Sequence, residues 1–346
     1  MYTKQPKKML IMNILEILKK YTDENHRMSQ KDIIDILERE YDMKVDRKAV
    51  KRNLLNLSDL GYRIEYSEKV RYNKKGEEEI VYGDWYLEKN FTDSELRLLI
   101  DSLLFSKHIP AKQCEELVGK IEDLSNCYFK SRIGNISKLS GGSSENMQLF
   151  YTIDVLDDAI SKGRKVSFYY NEYGSDKHLH PRKNKDGEVR KYIINPYQIA
   201  AVNGKYYLIC NYDKYDEVSN YRLDRITDIQ MLSEPVKPMK EVKGLENGLN
   251  LPKHVAEHIY MYTGESVPVK FKAKKYLLSE LIDWFGTDIQ FLGENEDEIT
   301  ARVVVNFEAV RKWAFQYALH VKILSPEKLV EAMKSDLKIA SKTYDI

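Results

Sequence analysis

Residues 1–90 hold three amphipathic segments followed by two short alternating runs, and few folds accept that order. Ile11, Ile14, Leu15 and Leu18 recur at i, i+3, i+4 and i+7, which gives a first helix one apolar face. Ser29-Gln30-Lys31-Asp32 is a capping box that opens a second helix with Ile33, Ile36 and Leu37 inward. A third helix has Asp46 as its N-cap, a Val45–Val50 staple across the cap, and Gly61 just past its last apolar residue. Tyr62–Tyr72 and Ile80–Leu87 then alternate in polarity, and Asn73-Lys74-Lys75-Gly76 between them reads as a hairpin loop.

Three helices followed by a hairpin is the order of a winged helix-turn-helix. The third helix sharpens that reading. At 100° per residue, Val50, Leu54 and Leu57 fall within about 60° of one another and form the buried stripe. Lys48, Lys51 and Arg52 fall on the opposite face, and between Lys44 and Asn53 five basic residues face one acid, the N-cap itself. A cationic face on the N-terminal half of this helix is what a recognition helix brings to phosphates and base edges. The expected duplex contacts are Arg47, Lys48, Lys51, Arg52 and Asn53, with Arg71, Lys74 and Lys75 on the wing. The bland alternative is a solvated helix face; helix order, caps, wing and charge together favour DNA.

At 346 residues the chain has room for two to three domains. A second capping box, Thr92-Asp93-Ser94-Glu95, starts a helix, and Pro110 suits the opening of another; 91–146 reads as a helical connector. Gly141-Gly142-Ser143-Ser144 is the best linker candidate. A helix over Thr152–Lys162 and five strand-like runs follow, at 166–170, 193–201, 205–210, 219–223 and 228–232. One helix before short strands with polar turns suggests a small barrel over 147–235. The proline-punctuated stretch 236–264 reads as a linker, and 265–346 as an α/β region. The fold class expected is multidomain α+β.

Charge excludes the simplest partners. With 55 Lys+Arg against 54 Asp+Glu, the chain is neither a basic coat nor an acidic tail, so partners must be met by local patches. No run approaches the ~18–20 apolar residues of a membrane helix. The opening MYTKQPKKMLIMNILEILKK is broken by Asn13, Glu16 and Lys19-Lys20, an amphipathic helix rather than a signal peptide. Cys114, Cys127 and Cys210 are too few and scattered for a disulfide framework or zinc site. The expectation is a cytoplasmic, reduced protein with no membrane partner.

Catalytic motifs are missing: no phosphate-binding glycine loop, dinucleotide fingerprint or nucleophile elbow occurs. His178-x-His180 and His254/His258 are possible metal-ligand pairs without a third ligand at recognisable spacing. No catalytic residue, metal site or cofactor is expected, and the chain reads as a non-enzyme. The barrel speaks more clearly. Val166-Ser167-Phe168-Tyr169-Tyr170, Gly204-Lys205-Tyr206-Tyr207-Leu208 and Tyr221-Arg222-Leu223-Asp224-Arg225-Ile226 put rings and guanidinium groups on neighbouring strands. That chemistry stacks a base and pairs with its phosphate.

On these residues the chain resembles the WYL-domain transcriptional regulators. The name motif aligns with Tyr206-Tyr207-Leu208, with Tyr in place of the usual Trp, and the R-x-D-R-I signature is intact from Arg222 to Ile226. Trp85-Tyr86-Leu87 is a decoy in the second wing strand. Trp313 and Ser325-Pro326 match the family's C-terminal extension less specifically. The resemblance covers nearly the whole chain. It implies an Sm/SH3-like barrel, a homodimer clamped by the C-terminal extension, a pseudo-palindromic double-stranded operator, and an effector that is single-stranded nucleic acid or a nucleotide. Members often control phage-defence or DNA-damage genes. The effector residues implied are Tyr170, Tyr207, Arg222 and Arg225. In a strand Tyr206 and Tyr207 face opposite sides, and Tyr206 is the packing member. Arg222 and Arg225 share a pocket only if their strand ends or bulges near Asp224. The rival reading is an accessory protein that binds single-stranded RNA or DNA without operator control.

Overall fold

A computed structural model describes residues 6–72, 76–106, 108–129 and 144–345. The chain divides into two compact units, one of residues 1–106 and 111–142, the other of 107–110 and 143–346. Both mix helices and sheet, and among the described residues no helix is long and apolar enough to cross a membrane.

The first unit follows its apolar periodicity. α1 (Leu10–Tyr21), α2 (Gln30–Tyr41) and α3 (Arg47–Asp59) pack around Ile14, Leu18, Ile33, Leu37, Val50, Leu54 and Leu57, all essentially inaccessible to water. The Ser29 box closes in both directions: Asp32 N–H donates to Ser29 Oγ at 3.2 Å, and Ser29 N–H to Asp32 Oδ2 at 2.8 Å. Asp46 accepts from Ala49 N–H at 2.7 Å. These satisfy N–H groups that a helix start leaves open. β1 (Ile64–Tyr72) and β2 (Glu78–Leu87) form an antiparallel pair whose Trp85 plugs the helical core. Trp85-Tyr86-Leu87 is therefore structural. α4 (Asp93–Leu104) and α5 (Ala111–Glu122) complete the described elements, with the Thr92–Glu95 box formed.

In the second unit, α6 (Leu149–Lys162) ends at Gly163, whose φ of 60° turns the chain into β3 (Arg164–Tyr173). The sheet runs β3, β4 (Leu179–Pro181), β5 (Lys191–Val202), β6 (Lys205–Asn211), β7 (Val218–Arg222) and β8 (Ile226–Pro235). β5 bridges its two halves: Lys191–Ile194 pair with β3 and Asn195–Val202 with β6. β8 pairs with the far side of β3. The order β8–β3–β5–β6–β7 stays open, since no ladder joins β7 to β8 among the described residues, so the closed barrel expected from sequence is not formed. A single 3₁₀ turn, Leu223–Arg225, links those two edges and replaces the missing ladder.

The stretch 236–264, expected as a linker, is packed. Val242 and Leu245 are buried against Tyr197, and Ile259 and Met261 are buried as well, because apolar residues recur through the segment; α7 (Leu251–Glu257) lies within it. Ser144, expected in a linker, is buried, and Asn146 Nδ2 donates to the Ile226 carbonyl at 2.6 Å. Beyond lies an antiparallel sheet ordered β10–β11–β9–β12, from β9 (Ser266–Lys274), β10 (Gln290–Glu294), β11 (Glu298–Asn306) and β12 (Val321–Ser325). α8 (Leu278–Phe285), α9 (Phe307–Gln316) and α10 (Glu327–Thr343) share one core with it around Phe271 and Trp313.

Candidate nucleic-acid interface

α3 carries its cations on a helix whose opposite stripe is fully used by the core. Arg47, Lys48 and Arg52 are exposed, and among the described residues none of them has a carboxylate partner. Two neighbours expected beside them behave differently. Lys51 is half-buried with its Nζ 4.0 Å from the centroid of the Tyr82 ring, because β2 reaches the flank of α3 where helical periodicity alone expects solvent. Asn53 turns its Nδ2 back to the Ala49 carbonyl at 2.8 Å, the i−4 bond that a short polar side chain makes inside a helix. Arg71 is exposed near the end of β1. Lys74 and Lys75 lie outside the described residues.

The sheet of the second unit brings Tyr170, Tyr207, Arg222 and Arg225 together. Tyr207 and Arg222 are cross-strand partners on β6 and β7, and the Arg222 N–H donates to the Tyr170 hydroxyl at 3.2 Å. β7 ends at Arg222, and the following turn carries Arg225 back within electrostatic reach of both tyrosine hydroxyls. The strand end that a shared pocket requires is present.

The Arg222 guanidinium is clamped by Asp224, Nε to Oδ1 at 3.0 Å and Nη2 to Oδ2 at 2.6 Å, a bidentate pair on a carboxylate only 3% exposed. Burial pulls the Arg222 pKa down, the Asp224 carboxylate outweighs it, and the net shift is upward. Its guanidinium is thus held by a carboxylate of the turn that follows its strand. Tyr170 is 6% exposed: Arg182 lies 5.1 Å from its ring centroid, and Tyr192 and Tyr221 meet it in edge contacts. Little of that ring is left to take a base; Tyr170 supports the site instead of lining it. Tyr207 is half-buried, and burial pushes its phenol pKa up, so it is a neutral ring at pH 7. Tyr206 is the packing member, met edge-on by His108 at 4.8 Å.

Arg225 differs from Arg222. Its Nε is buried and has no hydrogen-bond partner among the described residues. A buried donor left unpaired costs about 1–3 kcal/mol unless something completes it.

Sequence reasoning missed Arg182 and Arg190. Arg190 lies 4.5 Å from the Tyr192 centroid and 5.5 Å from that of Tyr212, with no carboxylate partner among the described residues. Arg182 rests on Tyr170 and is held at Nε by Glu172 at 3.0 Å. Their backbones meet, Arg190 N–H donating to the Arg182 carbonyl at 2.8 Å, across the connection between β4 and β5. The possible signal was the pair of basic residues flanking Asn184–Glu188; the pairing that aims them at the tyrosines is tertiary.

Each residue of the histidine pairs has a partner within the protein. His178 bonds Glu145, His180 bonds Asp176, and His254 stacks on His258 at 4.1 Å. No group of three or more potential ligands gathers among the described residues.

No curated protein sequence matches the chain. Solved structures do resemble it, two of them as follows. A CRISPR Cas-related protein has a TM-score of 0.39 and 14% identity, over 100% of this chain and 88% of that one. Proteasome accessory factor B/C (PafBC) of Arthrobacter aurescens has a TM-score of 0.29 and 15% identity, over 99% of this chain; the chain spans half the length of that protein. The specific match falls on the sheet just described: residues 151–231, from α6 into β8, match the model of the WYL domain.

Proposed function

We propose that the protein is a ligand-responsive, DNA-binding regulator of transcription, working as a homodimeric repressor. One observation carries the reading: Arg47, Lys48 and Arg52 stand exposed, and without acidic partners among the described residues, on the third helix of a three-helix and hairpin unit. That arrangement suits a winged helix-turn-helix over residues 1–90, with α3 in the major groove and the hairpin as wing. The WYL match over 151–231 supports an effector module in the same chain, and Arg225 with Tyr207 supports an anionic, stackable effector such as a single-stranded nucleic acid or a nucleotide. A winged helix reads one half-site, so a pseudo-palindromic operator calls for two copies; residues 265–346 are the proposed clamp between them.

The test is a titration of the full-length protein against a duplex selected from a random pool and against its separated strands. A regulator binds the duplex tightly and the strands weakly, and light scattering finds a dimer at micromolar concentration. The opposite preference would assign the protein to single-strand binding without operator control.

A further inference from the structure

The sheet of residues 266–325 has one face covered by helices and one bare, and the bare face is cationic. Burial alternates along β9 and β11: Val269, Phe271, Ala273, Ala301, Val303 and Val305 are buried in the core, so the residues between them point the other way. Those residues are mostly basic. Pairing register sets Arg302 opposite Lys270 and Lys322 opposite Lys272, with Lys274 at the next position along β9. Five cations share the face with a single carboxylate in this patch, Glu298, which reaches Lys274 at 3.3 Å and Lys272 at 3.7 Å. Lys270, Arg302 and Lys322 are exposed and have no ion-pair partner among the described residues.

Like charges directly opposite one another on a sheet face are destabilising. Here they occur twice in adjacent rows, in a chain whose formal net charge is only +1. Stability does not explain that concentration; an anionic partner does. The spacing describes that partner: strands about 4.8 Å apart and same-face residues about 6.7 Å apart make a flat lattice of positive charge. The outward-facing positions of β9, β11 and β12 carry no aromatic residue, so these three strands offer no ring to stack a base. We propose that this face binds the phosphate backbone of nucleic acid without sequence preference, as a site separate from α3 and from the tyrosine–arginine site of residues 151–231.

The test uses the full-length protein with Lys270, Arg302 and Lys322 all changed to Gln, beside the wild type. Binding of a fluorescent random-sequence duplex is followed by anisotropy against salt. Each phosphate contact contributes about 0.9 to the slope of log affinity on log salt, so three lost contacts should lower the slope by about 2 to 3. Thermal stability should hold or rise, since like-charge repulsion is relieved. The same three changes in a protein already carrying Arg47, Lys48 and Arg52 as Glu should remove the residual nonspecific binding. That arm separates failure of this proposal from failure of the α3 reading. An unchanged slope in both backgrounds would overturn the proposal. So would a loss confined to phosphatidylserine vesicles or poly-glutamate, which would reassign the face to a membrane or an acidic protein.

Discussion

The cations of α3 and those of the WYL-matching sheet are the same side chains put to opposite use. On α3, Arg47, Lys48 and Arg52 stand exposed with no ion-pair partner among the described residues, while in the sheet Arg222 is locked to Asp224 and Arg190 is laid over two tyrosine rings. Free, hydrated cations gain affinity by releasing counterions from a polyanion, so their binding weakens steeply with salt. Ordered, partly dehydrated cations give up less freedom on binding and discriminate by shape. In the proposed regulator the first region would grip a duplex and the second would recognise one ligand.

The comparison breaks most visibly on α3. Changing Arg47, Lys48 and Arg52 together to Glu should weaken duplex binding by about a thousandfold, at about 1.5 kcal/mol per charged contact. Because these residues are exposed, the denaturation midpoint should not move. A retained duplex shift at moderate salt would remove α3 as the docking element.

In the sheet the largest effect should fall on stability. Asp224→Ala leaves the Arg222 guanidinium, 21% exposed, without its partner, at a cost of about 2–3 kcal/mol, somewhat below that of breaking a fully buried pair. Urea unfolding measures it, and an unchanged midpoint would mean that the pair is open in solution.

The second unit should also lose stability between about pH 6.5 and 4. Burial of the His254 ring, with His258 stacked beside it, pulls its pKa down to about 4. An imidazole in the unfolded chain titrates near 6.5. Between those values the unfolded chain binds more protons, so stability is full above about pH 6.5 and is lost progressively as pH falls toward 4. Thermal melts from pH 7.5 to 4.5 should show that loss, and His254→Asn should flatten it. The smallest effect belongs to Lys51: its contact with Tyr82 is worth about 0.5–1 kcal/mol, so Lys51→Met should weaken duplex binding less than Arg52→Met. The reverse ranking would place Lys51 on the DNA.

Local signals were legible in the chain and tertiary ones were not. The Ser29 and Thr92 boxes and the α3 stripe form as their spacing implies, because each depends on neighbours within a helical turn or two. Lys51 was misplaced because helical periodicity knows nothing of the hairpin that folds against it. Arg182 and Arg190 went unnoticed because strand pairing, not sequence distance, aims them at the tyrosines. The pairing of Arg222 with Asp224 went unnoticed for the same reason: R-x-D-R names its residues, and only the end of β7 decides which arginine Asp224 takes. The stretch 236–264 looked like a linker because its prolines were easier to see than its spaced apolar residues, of which Val242 and Leu245 are buried.

That duplex binding and effector binding belong to separate surfaces is the claim on which the rest depends, and Arg225→Ala tests it most directly. Duplex affinity would be measured with and without an oligo(dT) of about ten nucleotides, a length within the range of single-strand binding folds. The expected result is an effector-free duplex affinity within about twofold of wild type, an oligonucleotide affinity reduced by about tenfold or more, and loss of the oligonucleotide's influence on the duplex. A fall in duplex affinity with no oligonucleotide present would contradict the account, because Arg225 would then belong to the DNA-binding surface itself.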